Sequence, residues 1–259
     1  MVYDLTFTSV EEILDYINSK NFTKPTSRKT YTNGFCNFSW KEAISFMKNG
    51  WSTSKKIRIE AENLEKSLEA PHGYKYETTG EILDVGTFLT GKPECWLEPD
   101  MVDNRKVYKI VVNSVYHANV NKNIIENRGI AIVSLIDLLQ EDGHIVELEI
   151  VKVTNNILNK KELKIKFEIG TSPLDIDKLS FMVANPAFLR RIIFAIEEVY
   201  LNAQNCDSYG QSGDIVMDKL NEPNTIYFPC LNGYERRFET IENAKLEVER
   251  IINKTKEDN

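Results

Sequence analysis

Two groups of residues have the types and spacing to do chemistry. The first is a polar loop, Asn113, Ser114, Tyr116, His117, Asn119 and Asn121, that follows the clearest strand signal in the chain, KVYKIVVNSV at 106–115. Open α/β sheets take ligands beyond the C-terminal ends of their strands, so this loop sits where a site belongs. His117 is its candidate acid or base, with the Ser114 hydroxyl nearby. Arg128, early in the next helix, is a candidate phosphate partner. Asn113, Ser114, His117 and Arg128 therefore form the candidate ligand loop. The competing reading is an ordinary polar loop with Arg128 in a surface salt bridge. The sequence holds no G-x-S-x-G, Walker A, G-x-G-x-x-G or H-E-x-x-H, so catalytic residues, a metal site and a cofactor are not expected. Asp175 and Asp177 read as acids favoured by a helix N-terminus.

The second group is a basic window. Between Lys20 and Arg58 lie nine basic residues and one acid, Glu42, a net +8, while the rest of the 259-residue chain carries −15. Aromatic residues interleave with the charge: Phe22, Tyr31, Phe35, Phe38, Trp40, Phe46 and Trp51. Lysine and arginine neutralise phosphates, and aromatic faces stack on unpaired bases. Arg28, Lys29, Lys48, Trp51, Lys55, Lys56 and Arg58 are therefore the candidate contacts for DNA or RNA. Two helices at 40–49 and about 53–69, joined by a short Gly50-containing turn, permit a helix-turn-helix reading. Two other readings compete: the aromatics are the core of a small helical subdomain, or the window docks on the protein's own acidic body.

The elements that must position these groups are legible in part. Ser9–Glu12 and Ser39–Glu42 have the capping-box pattern, and Asn49-Gly50 reads as a helix stop. Residues 81–89, 106–115, 144–153 and 162–169 read as strands, the last two as a hairpin around Asn155-Asn156. Across that hairpin Glu147 and Glu149 are expected to face Lys164 and Lys166. Residues 123–141 read as a central helix, apolar on most faces, with Gly129 allowing close approach to the sheet. Further helices are expected at 175–183, 187–201 and 240–252, with a short strand at Tyr227-Phe228. No run reaches the roughly 18 apolar residues that span a bilayer, so no membrane partner is expected. The N-terminus lacks a basic-then-apolar signal pattern. Cys36, Cys95, Cys206 and Cys230 show no C-x-x-C spacing, which excludes zinc ribbons and redox motifs.

This order predicts an α/β fold: a mixed, mostly parallel sheet with an antiparallel hairpin strand and flanking helices, plus a small N-terminal helical module. The division is expected at 1–75 and 76–259. From about 106 to 255 the order resembles the von Willebrand factor A type. That family's D-x-S-x-S metal motif is replaced here by Asn113-Ser114-Val115-Tyr116-His117. The resemblance thus implies a fold without its metal. Several phrases also resemble an uncharacterised family of bacteriophage and prophage proteins. They are Ser39-Trp40-Lys41-Glu42-Ala43 with Asn49-Gly50-Trp51, Asp84-Val85-Gly86 with Gly91-Lys92-Pro93-Glu94-Cys95, Arg128-Gly129-Ile130-Ala131 with Gly143-His144-Ile145-Val146-Glu147-Leu148, and Asn185-Pro186 with Leu189-Arg190-Arg191. This resemblance implies a phage context and no activity. The expected function is a non-enzymatic phage accessory protein that binds nucleic acid or bridges it to a phage or host protein. It would act in the cytoplasm of the host cell, with the virion as the other location. The alternative is a protein-interaction or virion component with no nucleic-acid binding, and an enzyme of unknown class comes third. The central-helix assignment predicts that Ile132→Ala costs about 2–5 kcal/mol in chemical denaturation; a loss below about 1 kcal/mol would misplace that helix.

Overall fold

The computed structural model describes residues 2–19, 36–51, 54–68, 74–80, 82–99, 105–117, 119–156, 161–170, 175–201, 222–232 and 234–257. The main sheet has five strands in the order β1-β7-β6-β5-β8. They are β1 (Val2–Phe7), β5 (Val107–Asn113), β6 (Ile145–Asn156), β7 (Lys161–Ile169) and β8 (Thr225–Phe228). Three of the pairings are parallel and β6–β7 is antiparallel, as the mixed α/β reading predicts. A second, antiparallel sheet has the order β2-β4-β3, from β2 (Tyr74–Glu77), β3 (Ile82–Leu83) and β4 (Trp96–Pro99).

One face of the main sheet carries Ile110, Val112, Leu148, Ile150, Ile165 and Phe167 into the core. Against it lies α5 (Lys122–Glu141), buried from Ile125 to Leu139 on nearly every side. Around α5 pack α3 (Ser54–Leu68), α6 (Ile176–Ala184) and α8 (Ile241–Glu257). The chain after α6 enters a π-helical segment, Phe188–Ile193, and continues as α7 (Phe194–Leu201). Two N-terminal helices, α1 (Val10–Asn18) and α2 (Trp40–Asn49), complete the layer. No single helix among the described residues is long and apolar enough to cross a membrane.

Several expectations are corrected. β1 was not foreseen; it pairs with β7 from Val2↔Glu162 to Phe7↔Phe167. Segment 1–75 therefore supplies a sheet strand. Its Ile13, Ile17, Ala43, Met47, Ile57 and Leu64 join the same core as the rest of the chain. Residues 81–89 are not one strand. Asp84 caps a short helix, α4 (Val85–Leu89), by accepting from the Gly86 and Thr87 amides at 3.0 and 3.3 Å. The capping box at Ser39 is complete, but Glu12 reaches back to the Thr8 amide instead of Ser9. In the β6–β7 register Glu149 faces Glu168, and Lys166 and Lys164 face Val151 and Val153. Glu149 instead meets Lys109 on β5 at 3.0 Å.

Gly129 matters for a different contact from the one expected. A Cβ there would lie 2.3 Å from the Ala184 Cβ, so the close approach is to α6. Gly129→Ala gains up to about 1 kcal/mol of helix propensity but forces two packed helices apart. A net loss of about 1–3 kcal/mol is expected in urea unfolding; a stabilised variant would show that the crossing yields easily.

Candidate functional site

The candidate ligand loop lies, as expected, at the C-terminal end of β5, but its polar groups are spent on the fold. Asn113 Oδ1 accepts from the Val115 amide at 3.0 Å, and its Nδ2 donates to the Tyr227 hydroxyl at 3.4 Å. The Ser114 hydroxyl donates to the Val151 carbonyl at 3.0 Å. Both residues are buried, whereas His117 is exposed. A hydroxyl that is already bonded to the backbone of β6 and a histidine that faces solvent do not form a nucleophile–base pair.

Arg128 is not on the surface. It is 2% exposed, and its Nη1 donates to the carbonyls of Asn113 at 3.1 Å and Pro229 at 3.2 Å. It thereby ties the ends of β5 and β8 to α5, across the crevice where the strand order reverses. Burial pushes its guanidinium down to about 10. Beside it Tyr116 donates to the Pro186 carbonyl at 2.7 Å, and burial raises its phenol. Arg190, which sequence reasoning did not place in a site, lies over the rings of Tyr116 at 5.7 Å and Phe194 at 5.4 Å.

A buried ion pair adjoins this group. Lys152 on β6 meets Glu197 on α7, both wholly buried, with the Lys152 ammonium 4.9 Å from the centre of the Phe194 ring. Glu198 is buried as well. Lys152 stands within the run Glu149–Val153, which reads as strand, and nothing in its neighbours marks it as an inward-facing charge. Removing one partner leaves the other charge uncompensated. Lys152→Met is expected to cost about 3–5 kcal/mol in denaturant unfolding, and adding Glu197→Leu should recover most of that loss. A single-variant loss below about 1 kcal/mol would show that the charge is hydrated.

The basic window divides. Arg28 and Lys29 lie outside the described residues. Trp51 is the main correction: it is 2% exposed, its amide donates to the Asp177 carbonyl at 3.2 Å, and its ring belongs to the core. Phe46 likewise packs against Phe38 and Phe181. The described aromatics, Phe38, Trp40, Phe46 and Trp51, are thus committed to packing; Phe22, Tyr31 and Phe35 lie outside the described residues. Neither is a helix-turn-helix formed, since α2 packs mainly on α6, and α3 on α5 and α6. Gly50, at φ 82°, turns the chain between them, and a Cβ there would lie 2.5 Å from Asp177 Cβ.

The described cations of the window do reach solvent. Lys48 and Lys55 are exposed. Lys56 meets Glu126 at 3.4 Å and Arg58 meets Asp177 at 3.1 Å, yet their side chains remain 61% and 46% exposed. The physical reason is the helical period. Ile57, Ala61 and Leu64 are buried, which turns Lys55, Lys56 and Arg58 outward.

No curated protein and no solved structure matches the chain. A family does: the domain of unknown function DUF7192 matches over residues 1–256, and the protein belongs to that family.

Proposed function

We propose that the protein is a non-enzymatic phage accessory factor that binds nucleic acid, or bridges it to a phage or host protein, through the outer face of α3 and the end of α2. One observation carries this reading: Lys55, Lys56 and Arg58 are all exposed in the first turns of α3, off its buried Ile57–Ala61–Leu64 stripe, with exposed Lys48 in the last turn of α2. With Trp51 in the core, recognition rests on phosphates and not on base stacking. That points to sequence-tolerant binding with a strong salt dependence. The phage context rests on the local phrases that run from Ser39 to Arg191. The strand order β7-β6-β5-β8, with β7 reversed, supports the von Willebrand factor A-like description, with Asn113 in the place of that family's metal aspartate. The site of action would be the host cytoplasm or the virion.

The second reading, a protein-interaction or virion component, is favoured by the acids that meet this face. Glu126 and Asp177 already partner Lys56 and Arg58. Asp137, raised to about 6 by burial and the nearby Glu141, also feels the Arg58 charge. An exposed apolar patch supports it too, since Val85, Phe88 and Leu89 of α4 are all more than half exposed.

Salt titration separates the two. Binding to duplex or single-stranded nucleic acid should weaken with a log–log slope of about −0.7 to −0.9 per phosphate contact. Replacing Lys55, Lys56 and Arg58 together by Ser should flatten that slope by roughly two to three units. A protein with no salt-sensitive affinity for either form at low ionic strength has the second function.

A further inference from the structure

The crossing of α5 and α6 buries two hydrogen-bond donors that have no acceptor. Arg128 uses Nη1 for two carbonyls, and its Nε has no partner. Asn185, the C-cap of α6, is 3% exposed; its Oδ1 accepts from the Ala187 amide at 2.8 Å, and its Nδ2 has no partner. Because Oδ1 is fixed by an N–H donor, the unused end of that side chain is a donor. Gly129 packs on Ala184, so α5 and α6 cross beside Arg128 and Asn185. Tyr116 spans the same spot, bonded to the Pro186 carbonyl and within the field of both Arg128 and Arg190.

A buried guanidinium bonded only to carbonyls carries an uncompensated charge, which is a strongly unfavourable state. The carboxylate in its field, Glu235, is already held by Arg237 at 2.7 and 2.9 Å. The place is the C-terminal edge of the sheet, beside the crossover between β5 and β8, where α/β proteins lodge ligands. His117 and Arg190 are both more exposed than Arg128.

From this geometry we infer that the α5–α6 crossing at the end of β5 binds a compact oxyanion, a phosphate or carboxylate group, through Arg128 Nε and Asn185 Nδ2. An oxyanion supplies acceptors to both orphan donors and the negative charge that Arg128 lacks. The site is distinct from the outer face of α3 and does not depend on nucleic-acid binding.

Calorimetric titration of the full chain with inorganic phosphate, and separately with acetate, tests it against potassium chloride of equal ionic strength. Saturable one-to-one binding is expected, and the tighter of the two anions identifies the group. Asn185→Asp keeps the acceptor for Ala187 and places a negative charge beside Arg128. It should weaken anion binding at least tenfold and melt higher than the native protein in anion-free buffer. Arg128→Lys, which keeps a charge and loses Nε, should also lose binding. The Lys55/Lys56/Arg58→Ser variant should bind the anion as the native protein does. The inference is overturned if neither anion binds saturably, if Asn185→Asp binds unchanged, or if the triple serine variant abolishes the effect.

Discussion

The fold depends on one helix with no free side. α5 lies on the sheet and is covered by α3, α6 and α8, so apolar residues occur all round it. Over its buried stretch such a helix must set a polar side chain against a neighbour, and several of those found there have a specific task. Ser134 donates to the Ala61 carbonyl of α3, and Asn127 to the Phe238 carbonyl ahead of α8. Glu126 draws in Lys56 and Lys122. Arg128 reaches the ends of two strands. The polar residues of α5 thus fix the positions of the elements around it, while the apolar ones supply the burial.

The same enclosure explains why charge concentrates at one end of the sheet. Parallel strands leave their C-terminal carbonyls pointing the same way, and the turns that follow must be satisfied locally. Here Asn113, Ser114 and Arg128 satisfy them, which uses up the groups that would otherwise serve a reaction. Lys152 and Glu197 sit deeper and neutralise each other under Phe194. The fold places its polar capacity where an α/β enzyme would have an active site, and much of it holds the backbone together.

Much of the framework was legible from periodicity. β5, β6, β7, α5 and α8 each carry a strong pattern, and Ser39–Glu42 forms the box its spacing predicts. β1 is masked in the sequence by the capping signal at Ser9 that follows it at once, although Val2–Phe7 alternates in the strand manner. Residues 82–89 misled in the opposite direction. Their composition suits a strand, but the Asp84 side chain organises a helical turn that composition does not report. Of the site residues, Arg128 reads in the sequence as a phosphate partner or a surface salt bridge, and nothing local reveals that α5 is covered and buries it. Trp51 was misread for a related reason. An aromatic beside lysines looks the same in sequence whether it stacks on a base or fills a core.

β1 gives the chain an unusual order of assembly. Its partner is β7, with Leu5 opposite Ile165, so this strand cannot find its place until β7, far downstream in the chain, has been made. Closing so long a loop is entropically unfavourable and is compensated only once the β5–β6–β7 part of the sheet offers an edge. The N-terminal strand therefore docks late, onto a scaffold built by residues far downstream. Until it does, the Leu163–Phe167 edge of β7 stands open as a template for another strand.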